Sequence, residues 1–165
     1  MSTCKSFAPI VDEHSRILIL GSMPGIKSLE QQEYYAHPQN RFWRLLALLL
    51  DEAVPQDYAA KQALLHKHHL ALWDTLGYCE RDGSLDSNIK NEAPNAVAEL
   101  AGELPHLQAV VCNGGKAGAA FKKYFAKKMP EQVQIFYLPS TSPANARLRL
   151  EDLAEHWQVI LQFLA

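Results

Sequence analysis

The chain has 165 residues, 48% of them hydrophobic and 21% charged, which is the make-up of one ordinary globular domain and leaves no room for two full-sized ones. The longest aliphatic run, residues 45–50, is far short of the ~20 residues that span a bilayer, and charges precede the first apolar stretch, so neither a transmembrane nor a secretory segment is expected. The formal net charge is -2, yet residues 113–149 hold seven Lys or Arg and one acid. That run reads either as a solvated helix face (Lys116, Lys122, Lys123, Lys127, Lys128) or as a surface facing phosphates.

In chain order, Ile17, Leu18, Ile19 and Leu20 form a short apolar run ended by Gly21, the pattern of a strand buried on both faces. Phe42, Leu45, Leu46 and Leu49 fall at helical spacing. A second helix follows Asp57 and runs to about His68. Residues 70–76 read as a second strand, with Asp74 interrupting its apolar pattern. Val97, Leu100, Ala101 and Leu104 mark a helix behind Pro94; Ala109, Val110, Val111 and Cys112 a third strand; and Gly114-Gly115 a tight turn into the helix of Ala117, Ala120, Phe121 and Tyr124. Residues 134–138 make a fourth strand stopped by Pro139, and Leu150, Leu153, Ala154, Trp157, Leu161 and Leu164 line a terminal helix. Strands alternating with helices predict an α/β fold: one three-layer α/β/α sandwich over residues 1–165 with a small, four-stranded parallel central sheet. Ligands of such sheets bind beyond the carboxyl ends of the strands, which selects residues 21–28, 74–88, 113–116 and 139–145.

Candidate chemistry lies in those segments and ahead of the first helix. Residues 21–28 look like a phosphate loop, but Ile26 separates Gly25 from Lys27-Ser28 and Pro24 lacks an amide donor, so the register fails. Three cysteines (Cys4, Cys79, Cys112) without a CxxC argue against a disulfide framework or metal cluster and for a reducing cytoplasm. His66, His68 and His69 cluster at a polar helix end with no second ligand group, so no metal is expected. Asn40 reads most simply as an N-cap accepting from Phe42 or Trp43, and Phe42 as core. Asn113 is either an Asx turn or an amide facing the crevice. The loop from Pro139 through Asn145 is either a connector with Asn145 as N-cap or a rigid wedge whose hydroxyls meet phosphates, with Arg147 and Arg149 alongside.

Together, Gly21-Ser-Met-Pro-Gly with Ser28, Tyr34-Tyr-Ala-His-Pro-Gln-Asn40-Arg-Phe-Trp43, Leu72-Trp-Asp-Thr-Leu76, Gly83-Ser-Leu-Asp-Ser-Asn-Ile89, Asn113-Gly and Leu138-Pro-Ser-Thr-Ser-Pro-Ala-Asn145 resemble the hypoxanthine-DNA glycosylases of the uracil-DNA glycosylase superfamily, over nearly the whole chain. The stretch ending in Trp43 also resembles the mismatch-specific uracil glycosylases; Met23 stands where those enzymes carry a catalytic Asn. The resemblance implies a monofunctional glycosylase, without lyase activity, that removes deaminated bases from double-stranded DNA, hypoxanthine first, with uracil or xanthine as further substrates. The alternative is a noncatalytic nucleic-acid or nucleotide-binding module of the same fold. No cofactor is implied, and a cytoplasmic monomer working at the nucleoid is expected. By this resemblance Asn40 is expected to take the catalytic place, positioning or polarising the attacking water. Gly21, Ser22, Met23, Pro24, Tyr35, Phe42 and Asn113 are expected to form the base pocket, with Tyr35 or Phe42 stacking on the base and the Asn113 amide matching N1-H and O6. Ser140, Thr141, Ser142, Asn145, Arg147 and Arg149 are expected to face the DNA.

Overall fold

The computed structural model describes residues 2–164. Its strands are β1 (Thr3–Lys5), β2 (Ile17–Gly21), β3 (Leu70–Asp74), β4 (Leu76–Glu80), β5 (Lys90–Pro94), β6 (Ala109–Asn113) and β7 (Gln134–Leu138). Its α-helices are α1 (Ile26–Gln31), α2 (Phe42–Leu50), α3 (Tyr58–Lys67), α4 (Val97–Glu103), α5 (Gly115–Tyr124) and α6 (Leu150–Trp157). The terminal helix expected as one piece changes after Trp157 into a 3-10 turn over Gln158–Phe163.

Strands β3, β2, β6 and β7 lie in that order in a parallel sheet, as the four apolar runs predict. Because successive side chains of a strand face opposite ways, each strand feeds two cores. Ile17, Ile19, Leu70, Leu72 and Val111 pack with Phe42, Leu45, Leu46, Leu65 and Trp157 from α2, α3 and α6. Leu18, Leu20, Ala71, Val110 and Cys112 pack with Val97, Ala101, Ala117 and Phe121 from α4 and α5. This is the expected three-layer sandwich.

A second sheet was not expected. β1, β4 and β5 form an antiparallel ribbon in the order β1-β4-β5, with Cys4 opposite Cys79. The apolar stretch of residues 70–76 is therefore two strands: backbone Thr75 and Leu76 donate to the carbonyls of Gly21 and Ser22, and the chain turns at Thr75 from the parallel sheet into the ribbon. The central strand β2 has β3 on one side and β6 on the other, so the order reverses there. At that switch point Gly21 and Asp74 are register partners and Asn113 ends the next strand. Among the described residues no helix is long and apolar enough to cross a membrane.

Candidate active site

A cavity of about 460 Å³ opens at the carboxyl ends of β2, β3 and β6, walled by residues 21–28, Tyr35, Asn40, Asp74, residues 84–87, Asn113 and residues 140–145. It draws on all four segments that the topology selects and on the stretch ahead of α2.

One wall is a chain of neutral hydrogen bonds. The Asn113 amide nitrogen donates to the Tyr35 phenol (3.2 Å) and to Thr141 Oγ1 (3.1 Å), while its oxygen accepts from the Thr141 backbone amide (3.0 Å). Thr141 Oγ1 donates onward to Asn40 Oδ1 (2.9 Å), which also accepts from the Phe42 amide (3.0 Å). These partners fix both amide orientations without ambiguity, since a backbone N–H can only donate. Both hydrogens of Asn113 are taken, so it can offer a ligand only acceptor capacity, which corrects the expectation that its amide matches both N1-H and O6. Asn40 is the reverse: its oxygen is occupied twice, and its NH2 is the group left for the cavity. It caps the start of α2 through Phe42, as the sequence suggests, although Arg41 is the residue at the N-cap position.

Tyr35 has the left-handed backbone angle φ 52°, costly for an aromatic residue and of a kind that collects at functional sites. Its ring stacks on Phe42 at a centroid distance of 4.1 Å. Burial pushes the phenol pKa up, with the Asp74 charge adding to it, so the phenol keeps its proton.

The adjoining wall is acidic. Asp74 is 3% exposed, its Oδ2 accepts from Ser6 Oγ (3.0 Å), and no ion pair reaches it among the described residues. Its pKa is raised to about 7, chiefly by burial, with the Ser6 hydrogen bond acting the other way, the Asp86 charge adding to the rise and Arg81 opposing it. Ser22 Oγ donates to Asp86 Oδ1 (2.7 Å), and Ser84 Oγ accepts from the Ile26 amide (2.8 Å), tying the 82–88 loop to the turn after β2. Behind this wall the buried Arg81 guanidinium donates to the Pro24 carbonyl, while its Nε and Nη1 have no hydrogen-bond partner among the described residues.

A family profile described as Uracil DNA glycosylase superfamily matches residues 8–165. The chain belongs to this superfamily. A Methanosarcina barkeri protein named Hypoxanthine DNA glycosylase is 38% identical over 87% of this chain and 89% of its own length. A Methanosarcina acetivorans protein of the same name is 34% identical over 96% of this chain and 98% of its own. The solution NMR structure of a Methanosarcina acetivorans protein superposes with a TM-score of 0.85 at 32% identity, covering 99% of both chains. The superfamily fold is thus shared across nearly all of the chain.

Of the residues singled out from sequence, Gly21, Ser22, Met23, Pro24, Tyr35, Asn40, Asn113, Ser140, Thr141, Ser142 and Asn145 line the cavity. Three placements need correction. Phe42 is fully buried behind Tyr35 and off the wall, so it supports the aromatic face but cannot itself stack on a ligand. Thr141 is fully buried with its hydroxyl committed to the two asparagines, which removes it from any phosphate-facing role. Asn145 does not cap α6, since Arg149 holds that position. Arg147 and Arg149 are exposed and outside the cavity wall. The lysine run is dispersed: Lys116 pairs with Glu92, Lys122 lies over the Tyr137 ring, and Lys127 and Lys128 follow the end of α5, which runs away from the cavity. His66 and His68 pair with Asp12 and Glu52 ahead of β3. Asp74 was missed from the sequence; its signal was a lone carboxylate interrupting an apolar strand.

Proposed function

We propose that this chain is a monofunctional DNA glycosylase that hydrolyses the N-glycosidic bond of a deaminated base in duplex DNA, hypoxanthine first. The carrying observation is that two relatives named Hypoxanthine DNA glycosylase match it along nearly their full length, so that the segments forming the cavity lie within the matched family region. A flipped nucleotide would place its base in the cavity, with the sugar toward the mouth. As the C1′–N9 bond breaks, positive charge develops on the sugar and negative charge on the base; water oxygen bonds to C1′ and its proton ends on the released purine. Asn40 holds the attacking water by donation from its NH2, which orients the nucleophile without serving as a base. The Tyr35 ring, backed by Phe42, provides the stacking face, and Ser140, Ser142 and Asn145 meet the DNA beside the flipped nucleotide.

We further infer a cytoplasmic monomer; the free, buried state of Cys4, Cys79 and Cys112 supports a reducing compartment. The deciding experiment is abasic-site formation on duplexes carrying inosine, uracil or xanthine, with alkaline cleavage as readout. Abasic sites from inosine are expected. Duplex binding without any of them would identify the noncatalytic module instead.

A further inference from the structure

Resting on the glycosylase reading, we propose that Asp74 and Tyr35 read the Watson–Crick edge of the flipped base: the Asp74 carboxylate accepts its ring N1–H and the Tyr35 phenol donates to its O6.

Gly21 is the strand partner of Asp74. A Cβ on Gly21 would lie 2.6 Å from Asp74 Oδ1 and 2.9 Å from the Tyr35 phenolic oxygen, so both oxygens border the same bare Cα. Both residues line the cavity. Each carries one complementary function. Asp74 has Ser6 on Oδ2 and, ionised, offers only acceptors. Tyr35 takes a hydrogen bond from Asn113, leaving its own proton as a donor. No hydrogen bond closes between the two among the described residues. Acceptor beside donor is the complement of N1–H beside O6 in hypoxanthine.

Adenine, the base from which hypoxanthine arises by deamination, presents the reverse: a lone pair at N1 and an amino group at C6. Against a carboxylate that lone pair meets another lone pair in a dry site, which is repulsive, and deamination converts the repulsion into a charge-assisted hydrogen bond. A carboxamide in the same place would discriminate poorly, because rotating it exchanges acceptor for donor. The ionised carboxyl has no such alternative, which is a physical reason to keep an acidic residue in a buried wall where it is costly.

The test uses the full-length protein and its Asp74→Asn and Asp74→Ala variants, with single-turnover excision measured on duplexes holding inosine or adenine opposite cytosine. Asp74→Asn should keep inosine excision within about 10-fold of wild type while its preference for inosine over adenine falls at least about 100-fold, since sites built around a polar contact discriminate by large factors. Asp74→Ala should lose inosine excision. Wild-type inosine excision should also rise with pH as the carboxyl, held high by burial and set further by Ser6, Asp86 and Arg81, ionises near 7 while the Tyr34 and Tyr35 phenols that face it keep their protons, and Asp74→Asn should be flat. Melting temperatures establish that each variant is folded. Folded Asp74 variants with wild-type rates and preference would overturn this proposal alone; a wild-type protein that releases no base would overturn the glycosylase reading and this proposal with it.

Discussion

The two walls of the cavity are built from the same kind of loop at the same end of the same sheet, yet they differ in what they leave unspent. On the Tyr35, Asn40, Asn113 and Thr141 side, nearly every polar atom is paired to another protein atom, and the groups are neutral. On the Gly21, Ser22, Asp74 and Asp86 side there are two carboxylates, one of them buried, with a guanidinium behind them that has two nitrogens without a hydrogen-bond partner among the described residues. The contrast separates two jobs. A saturated neutral network holds shape and aims a few remaining donors; an acidic wall supplies charge that can change with pH.

The largest effect should come from neutralising the acidic wall. The folded-state pKa of Asp74, about 7, lies above its ordinary value of 3.8, so the folded protein holds this proton more tightly than the unfolded chain. Stability present at low pH is then lost as pH rises from about 4 to about 7, and no more is lost above. Asp74→Asn should escape that loss and exceed wild type by roughly 4 kcal/mol at pH 8 while nearly matching it at pH 4. Denaturant midpoints at the two pH values check this, and a gap that does not widen with pH would show that the carboxylate is not paying a burial penalty.

On the neutral wall the sharpest cut is Asn40. Asn40→Ala should lower single-turnover excision by about 100-fold or more, with about 1 kcal/mol of stability lost from the cap. Asn40→Asp retains both acceptor contacts, to Phe42 and Thr141, but has no NH2. It should melt near the wild-type temperature and still lose excision; normal turnover in that variant would assign Asn40 to capping alone.

Two substitutions reach the boundary between the walls with smaller effects, on the order of 10-fold in excision. Gly21→Ala drives a methyl group against Asp74 and Tyr35 and should impair inosine excision more than affinity for undamaged duplex. Asn113→Ala releases the Tyr35 phenol and Thr141 together, and equal excision rates in wild type and this variant would mean that the network has no part in aiming the phenol. The smallest effect is electrostatic: Arg147→Ala should reduce the salt dependence of duplex binding by about one counterion, whereas Lys127→Ala, beyond the far end of α5, should leave it unchanged.

Much of this architecture was legible because buried parallel strands are continuous apolar runs, and residues 17–20, 109–112 and 134–138 differ from the observed strands by at most one residue. The antiparallel ribbon was not. Its strand β5, Lys-Asn-Glu-Ala-Pro, is largely exposed and has no alternation of polar and apolar residues to announce it. The positions around the cavity were legible as turns beyond strand ends, but hydrogen-bond direction was not. Whether Asn40 or Asn113 presents oxygen or nitrogen depends on Thr141, 101 and 28 residues away in sequence. Phe42 shows the same limit, since an aromatic residue beside a site can form its surface or its backing.

Arg41 has a consequence for how the molecule comes apart. Its guanidinium donates to the carbonyls of Ser142 (2.8 Å), Asn145 (2.9 Å) and Leu148, and its backbone amide to that of Thr141 (3.1 Å). One side chain thereby rivets the loop after β7 to the first turn of α2, although about a hundred residues separate them. Hydrogen exchange of the bonded amides in the two segments should follow a single cooperative opening rather than the independent fraying usual for a loop. In the proposed reaction DNA therefore meets one jaw already set in place, and the adjustment needed to admit a nucleotide falls to the other jaw, where the Ser22–Asp86 and Ile26–Ser84 bonds join the turn after β2 to the 82–88 loop.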